Sequence, residues 1–360
     1  MQQQVPLVRA VPVIAVVTTL LALLAAALTT PAGAAERAAS PSYVALGDSY
    51  ASGTGTRSYL ADGTSCQRST RAYPALIAAA RGYELSFRAC SGARVSDVAT
   101  QVEALSPATG YVTVSVGGND AGFADVLTEC AQPGWMSDCN GAIDAARRFI
   151  DRTLPGRLAG LYADIDQRAP NARVVVVGYP RIFMGKDCNW ATWFSRSEMT
   201  RLNETADLLN QRTAGLAATR GFGFADPTDR FVGHAVCADA EWINGLSWPI
   251  SESYHPNRPG HSSGYTPTVS PLLTGAAVAV SRTVRQRAAA SAERLVEAQR
   301  EHTATDAAIE PETVAAPDLT TPRARKAARR AGVDLGSRRS IDAADRRASR
   351  AQARAWARTH

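Results

Sequence analysis

The tripeptide Gly47-Asp48-Ser49 directly follows an apolar run, Tyr43 to Leu46, that is typical of a buried strand. A strand that turns sharply through glycine into a helix exposes the side chain at the turn, beside free helix N–H groups that stabilise negative charge. Ser49 is therefore a candidate nucleophile. A capping role is the alternative, because Asp and Ser are common at helix N-termini.

A serine hydroxyl is a weak nucleophile near neutral pH unless a neighbouring group accepts its proton, and histidine, with a pKa of about 6.5, suits this role. The chain has five histidines. Four lie in the charged C-terminal region, in a loop before a cysteine or just after a Pro-Gly pair: His302, His360, His234 and His261. His255 is therefore the candidate base, with a solvated loop histidine as the alternative.

The hydrophobic pattern predicts the elements that would position these residues. After the first strand, further strands are predicted at 85–90, 111–116, 172–177 and 222–225. Helices are predicted at 72–80, 143–168 and 198–219, and a helix-like pattern runs from 271 to 300. Long helices between strands serve as crossovers in a parallel sheet. The sequence therefore predicts an α/β fold, a three-layer α/β/α sandwich with a mainly parallel, flavodoxin-like sheet.

Polar motifs follow these strands, and strand ends in a parallel sheet converge on one edge. The motifs are Gly47-Asp48-Ser49, Cys90-Ser91-Gly92-Ala93, Gly117-Gly118-Asn119-Asp120 and, later in the chain, Glu252-Ser253-Tyr254-His255-Pro256-Asn257. In order and spacing these blocks resemble those of the SGNH hydrolases, also called GDSL-type lipases and esterases, over residues 41–285. The six cysteines make the chain similar to the secreted actinobacterial members of that family.

The resemblance implies a serine ester hydrolase that works through an acyl-enzyme. Ser49 would attack the ester carbonyl and His255 would relay protons. The backbone N–H groups of Ser49 and Gly92 and the side-chain amide of Asn119 would form the oxyanion hole. The family often has aspartate three residues before the histidine, where this chain has Glu252. Either Glu252 orients the imidazole in a triad, or a main-chain carbonyl near residue 252 does so in a Ser-His dyad.

A second serine motif, Gly260-His261-Ser262-Ser263-Gly264, matches the Gly-x-Ser-x-Gly turn of α/β-hydrolases. That turn needs a hydrophobic strand before the serine and an acid and a histidine after it. The preceding residues form no such strand and the later histidines lie in the charged tail, so Ser262 is not expected to react. A non-catalytic envelope-binding protein is an alternative class of function, which the intact set of motifs disfavours.

The cysteines all precede residue 240, and they are Cys66, Cys90, Cys130, Cys139, Cys188 and Cys237. In a chain bound for an oxidising compartment, an even number of cysteines predicts disulfides. Sequence alone does not fix their connectivity, and pairing nearest neighbours is the simplest pattern because it closes short loops. No Cys-x-x-Cys pair occurs. Neither a metal nor an organic cofactor is expected.

Residues 1–35 are predicted to be a signal peptide, because Arg9 precedes an apolar stretch from 11 to 28 and small residues at 31–35 suit cleavage. An uncleaved membrane anchor is the alternative, since the stretch is close to the minimum length for crossing a bilayer. Residues 36–290 would then form the hydrolase domain. The predicted location is outside the cell.

The formal net charge of +6 is carried by the C-terminal end of the chain. Residues 281–360 hold 17 Arg or Lys and 10 Asp or Glu, whereas the preceding residues hold 22 and 23. Residues 291–360 are predicted to be a charged Ala/Arg-rich tail, partly helical or disordered. Weak attraction to an anionic cell envelope is its functional interpretation, and no specific nucleic-acid partner is expected.

The substrate is the least constrained part of the prediction. The resemblance implies carboxylic esters, including lipids, with acetyl esters of polysaccharide or cell wall as the alternative. Aromatic residues in loops between the motifs would either line an acyl site or pack beside the disulfides: Trp135, Trp190, Trp193, Phe194 and Trp248.

Overall fold

The computed structural model describes residues 1–4, 6 and 40–358. The chain divides into two compact units, residues 1–40 and 41–360. The predicted signal peptide lies in the first unit, and its apolar stretch falls outside the described residues. Within the described part of the chain, every helix is too short or too polar to span a lipid bilayer.

The second unit is built on a sheet of parallel strands: β1 (Ser42–Gly47), β2 (Glu84–Phe87), β3 (Tyr111–Ser115), β4 (Arg173–Val177) and β5 (Gly223–Ala225). Their order is β2-β1-β3-β4-β5. Val44 on β1 pairs with Val112 on β3, which in turn pairs with Val174 on β4. This is the doubly wound order in which the chain reverses direction beside β1, so the carboxyl ends of β1 and β3 flank a crevice.

The α-helices of the described region are α1 (Ser49–Ser52), α2 (Tyr73–Arg81), α3 (Val95–Gln101), α4 (Phe123–Cys130), α5 (Cys139–Arg152), α6 (Leu154–Arg168), α7 (Arg196–Thr219), α8 (Thr266–Thr274), α9 (Arg282–Ala290), α10 (Ala292–Gln299), α11 (Thr303–Asp306), α12 (Pro322–Ala331) and α13 (Arg338–Ala357). Helices α2 and α8 pack on one face of the sheet. Helices α3 and α7 pack on the other, with α5 and α6 against α7. The predicted three-layer α/β/α sandwich with a parallel, flavodoxin-like sheet is confirmed.

Two helix predictions need correction. The predicted helix at 143–168 is two helices, α5 and α6, because the chain breaks at Thr153 and Pro155 occupies the first turn of α6. Proline lacks an N–H group and is tolerated only in that turn. The pattern at 271–300 is likewise interrupted, because Gly275 ends α8 in the left-handed conformation with φ 82°.

The tail, residues 291–358, is helical over much of its length and packs on the rest of the unit. Helix α10 contacts the edge strand β2. Side chains buried along the tail include Leu295, Asp306, Ile309, Val314 and Ile341. Its charged composition did not indicate this docking, because the buried residues are few and widely spaced in the sequence.

Three disulfides cross-link the unit, two between loops and one between the end of α4 and the start of α5. Cys66 is bonded to Cys90, Cys130 to Cys139, and Cys188 to Cys237. These are the nearest-neighbour pairs. The first joins the loop before α2 to the loop after β2, where Gly92 lies.

Candidate active site

Ser49 is placed by the turn that follows β1. Gly47 has φ 130°, and a Cβ there would overlap the backbone of Ser115 on the neighbouring strand, so only glycine fits. Asp48 then caps α1 by accepting a hydrogen bond from the Tyr50 N–H at 3.0 Å. Ser49 is the first residue of α1 and is 5% exposed.

His255 faces Ser49 from a loop near the end of the domain. The distance from His255 Nε2 to Ser49 Oγ is 2.9 Å. The other ring nitrogen, Nδ1, lies 2.9 Å from the carbonyl oxygen of Ser253. A carbonyl is only an acceptor, so Nδ1 carries the proton and Nε2 presents its lone pair to the serine hydroxyl. Burial lowers the pKa of His255 to about 4, which keeps the ring neutral at pH 7.

The loop that carries His255 is held by main-chain contacts. The Tyr50 hydroxyl donates to the Tyr254 carbonyl at 2.7 Å, which ties the loop to α1. The N–H of Asn244 donates to the His255 carbonyl at 2.9 Å, and the Tyr254 N–H donates to the Asn244 carbonyl at the same distance. Tyr254 itself has φ 60°, an unusual conformation for a bulky residue that these bonds on both sides maintain.

The structure does not bring the Glu252 carboxylate to His255. The carboxylate accepts hydrogen bonds from the Tyr59 hydroxyl at 2.6 Å and from Arg57 Nε at 3.1 Å. Of the two orientations that the sequence left open, the geometry favours the main-chain carbonyl, and it is that of Ser253. The physical reason is the short helical turn at Ile250–Glu252, which directs the Glu252 side chain toward the loop at 57–59.

Asp48 is buried beside the nucleophile and touches two groups. One oxygen caps α1 and the other accepts a hydrogen bond from the Tyr179 hydroxyl. Burial raises the pKa of Asp48 to about 7. Its two hydrogen bonds fix the turn that carries Ser49, and Asp48 also lines the cavity beside it.

The three residues predicted to form the oxyanion hole lie around the same edge of the sheet. The Ser49 N–H is at the first position of a helix, where no intrahelical acceptor exists. Gly92 has φ 87°, which only glycine adopts easily. Asn119 donates one amide hydrogen to the Ala93 carbonyl at 2.9 Å, which fixes the side chain and leaves its second N–H available.

An apolar cavity opens beside Ser49 and His255. Ser49, Asn119 and His255 are among its lining residues. Its walls come from α4, α5, α7 and the segment after β4, and the apolar lining residues include Phe123, Leu127, Ala146, Ile150, Ile182, Ala206 and Leu209. The sequence pattern does not indicate this lining, because alanines and leucines on amphipathic helices have the same pattern as ordinary core residues.

The loop aromatics proposed as an acyl site do not line this cavity. Trp190 and Trp248 are 81% and 84% exposed. Trp193 donates its indole N–H to Asp342 in the tail at 3.0 Å. Phe194 is buried against Phe183, with ring centroids 4.8 Å apart. Trp135 borders a separate surface hollow beside α12.

The second serine motif forms no nucleophilic turn. Gly260–Tyr265 is a single wide helical turn that leads into α8, with no strand before it. The Ser262 hydroxyl lies 3.5 Å from that of Ser263. His261, next to it, is buried with its Nδ1 facing the Tyr73 N–H. No base contacts Ser262 among the described residues.

One group of potential metal ligands occurs in the described part of the chain: Cys188, Cys237 and Glu241. The two cysteines are joined in a disulfide, which removes both thiolates as ligands.

A doubly wound parallel sheet with a serine and a histidine at its carboxyl edge is typical of an α/β hydrolytic enzyme. Residues 45–262 match the model of the GDSL-like lipase/acylhydrolase family, and the chain belongs to that family. Lipase 1 of Streptomyces coelicolor is 46% identical over 250 residues, which cover 68% of this chain and 90% of that protein. A lipase of Streptomyces rimosus is 45% identical over 238 residues, covering 65% of this chain and 88% of that protein.

Solved structures agree with this relationship. The extracellular lipase of Streptomyces rimosus superposes with a TM-score of 0.61 and 42% identity, covering 65% of this chain and all of that one. Phospholipase A1 of Streptomyces albidoflavus superposes with a TM-score of 0.60 and 41% identity, covering 64% of this chain and 99% of that one. The protein is therefore a carboxylic ester hydrolase.

Proposed function

We propose that the protein hydrolyses acyl esters through a Ser49-His255 dyad. The observation that carries the proposal is the 2.9 Å contact between Ser49 Oγ and His255 Nε2, with Nδ1 held by the Ser253 carbonyl. His255 accepts the hydroxyl proton as Ser49 attacks the ester carbonyl, and passes it to the departing alcohol. Water then attacks the acyl-enzyme with His255 again as the base, which releases the acid and restores the serine.

The oxyanion formed in both steps would be stabilised by the N–H groups of Ser49 and Gly92 and the amide of Asn119. Donors fixed before the reaction stabilise the developing charge more than they stabilise the planar ester. The hydrogen bond from Asn119 to the Ala93 carbonyl supports this role, because it fixes the amide beside Gly92 without using its second hydrogen.

The cavity supports a lipid ester as substrate. Most of its lining residues are aliphatic or aromatic, and the lining includes Ser49. An acyl chain would bury apolar surface there at about 25 cal/mol for each Å², which an acetyl group is too short to exploit. The named activities of the relatives, lipase and phospholipase A1, are of the same chemical class.

We further propose that the enzyme acts outside the cell. The predicted leader at residues 1–35, the three disulfides and the printed description of the Streptomyces rimosus enzyme as extracellular all support this location.

The proposed nucleophile is tested by comparing Ser49→Ala with Ser262→Ala. We expect Ser49→Ala to lose labelling by a fluorophosphonate probe and at least about 1,000-fold of its p-nitrophenyl ester hydrolysis, because Ser49 provides the hydroxyl that is hydrogen-bonded to His255 Nε2. Ser262→Ala should retain both. Labelling of the Ser49→Ala protein at wild-type rate would refute the proposal.

A further inference from the structure

A segment of the tail runs past the proposed oxyanion hole. Residues 309–315, here called the strap, connect α11 to α12 with no helix or strand of their own. Ile309 and Val314 are each 5% exposed, so the strap is pressed against the domain. It lies outside the residues that match the family model, which end at 262.

The strap is anchored on its N-terminal side by buried charges. Asp306 is fully buried and accepts hydrogen bonds from Arg68 and, at 3.1 Å, from Arg88. The Ser65 hydroxyl donates to the Ile309 carbonyl at 3.1 Å. Ser65, Arg68 and Arg88 lie close in sequence to the Cys66–Cys90 disulfide. The strap therefore begins beside the loop that carries Gly92.

The centre of the strap lies against Gly92 itself. The carbonyl oxygen of Glu310 and the Cα of Pro311 occupy the space that a Cβ at position 92 would need. Glu312, which follows Pro311, accepts a hydrogen bond from Arg94 Nε at 3.0 Å. Glu312 and Val314 also line the cavity that contains Ser49, Asn119 and His255. The strap therefore borders the cleft on the side of the proposed oxyanion donors.

Contacts of Ala315 and of the helices that follow hold the C-terminal side of the strap. The Ala315 N–H donates to Thr128 Oγ1 on α4 at 2.9 Å. Arg323 on α12 pairs with Glu129 at 3.2 Å, and Asp345 on α13 accepts from the Gly134 N–H at 2.8 Å. With both ends fixed, the strap cannot leave the cleft as a fraying terminus would.

We propose that the strap is an autoinhibitory segment, which occupies the part of the cleft where the alcohol portion of an ester substrate must lie and which has to lift for full activity. The inference rests on the proposed roles of Ser49 and Gly92. Glu310 and Pro311 lie against Gly92, and Glu312 lines the cavity. An ester whose carbonyl reaches the Gly92 N–H and whose acyl chain lies in the cavity would therefore place its alcohol portion beside the strap. The opposing interpretation is a permanent cavity wall, in which Val314 helps to bind the acyl chain.

The full-length enzyme provides the test. Glu312→Gln weakens the pair with Arg94, and a glycine-serine sequence of the same length in place of 309–315 removes the Ile309, Pro311 and Val314 contacts while keeping both anchors. Activity is measured on p-nitrophenyl butyrate, and access to Ser49 by the rate of fluorophosphonate labelling. Glu310→Gln is the matched control, because it makes the same chemical change on the strap at an exposed side chain.

We expect kcat/KM and the labelling rate to rise about threefold in Glu312→Gln, because a partly exposed ion pair contributes a free energy of about that size. With the glycine-serine strap we expect both to rise at least about tenfold, because the closed state loses most of its contacts. Glu310→Gln should match the wild type. Unchanged or lower values with the glycine-serine strap would overturn the proposal in favour of a wall. Adding Ser49→Ala to the glycine-serine variant separates the proposal about Ser49 from the proposal about the strap. Labelling that persists in this double variant would refute the role of Ser49 as the nucleophile and would leave the role of the strap untouched.

Discussion

At the scale of the residue, the hydrogen-bond partner of the His255 imidazole distinguishes a catalytic dyad from a triad. His255 is held by the carbonyl of Ser253, while the carboxylate predicted as a third member contacts Tyr59 and Arg57. A neutral carbonyl fixes the tautomer of the ring as well as a carboxylate does. It stabilises the imidazolium less, because it carries no full charge.

Replacing Glu252 by Gln should therefore have a modest effect on the chemical step. We expect kcat to stay within about tenfold of the wild type, whereas loss of a true triad carboxylate costs about 10,000-fold. The amide still accepts from the Tyr59 hydroxyl, so the loop keeps one of its two bonds. The measurement is kcat on p-nitrophenyl butyrate, with His255→Ala as the reference for lost base catalysis. A fall in Glu252→Gln as deep as that of His255→Ala would restore the carboxylate to the mechanism.

The residues of the candidate site could be predicted from the sequence because their chemistry requires particular side chains. Ser49, Asn119 and His255 each have a hydroxyl, an amide or an imidazole that few alternatives supply, and each follows a recognisable motif. The partner of the imidazole could not be predicted in this way. Every residue has a carbonyl, so only the path of the backbone shows that Ser253 provides it.

At the scale of the element, helices on one face of the sheet form walls of the cavity beside Ser49. Helices α4, α5 and α7 supply cavity walls, and four of the lining residues are alanines: Ala121, Ala124, Ala146 and Ala206. Small side chains at these positions leave the space that an acyl chain would fill. The sequence predicted α5 and α7 in outline but did not predict α4. An alanine beside a cavity and an alanine in a packed core have the same sequence pattern.

Enlarging one of these alanines should shorten the preferred acyl chain. We expect Ala146→Leu to lower kcat/KM on p-nitrophenyl palmitate by at least about tenfold, since each excluded methylene is worth about 1 to 3 kcal/mol in a fitted pocket. Hydrolysis of the acetate ester should change little. Ala145→Leu is the matched control, because the neighbouring side chain on α5 is exposed. If both variants keep the wild-type chain-length profile, the cavity is not the acyl site.

At the scale of the whole molecule, the docked tail is the feature that composition concealed. Its charges predicted a tail that is partly helical or disordered. Asp306 is nevertheless buried between Arg68 and Arg88, which lie more than 200 positions earlier in the chain. With Asp62, which also pairs with Arg68 at 2.8 Å, they form a buried cluster of two positive and two negative charges. Such long-range pairing leaves no local pattern in the sequence, so only the structure shows it.

Removing one charge from this cluster should destabilise the molecule. We expect Asp306→Asn to lower the free energy of unfolding by about 3 to 5 kcal/mol, because it leaves two buried guanidinium groups with one carboxylate. The Tm should fall by several degrees in thermal unfolding followed by circular dichroism. Glu297→Gln, which breaks an exposed pair with Arg300, is the control and should leave the Tm almost unchanged. An unaltered Tm for Asp306→Asn would mean that the tail contributes nothing to the stability of the domain.

The position of Asp306 also has a consequence for the order of events during protein synthesis. All five strands precede it in the chain, and so do the motifs that carry Ser49, Gly92, Asn119 and His255. Both arginines precede it as well. A nascent chain that has just completed these parts holds Arg68 and Arg88 without their shared carboxylate, and the strap has not yet been made. Wherever the chain folds, its charge cluster is complete and the strap borders the cleft only after the tail has docked.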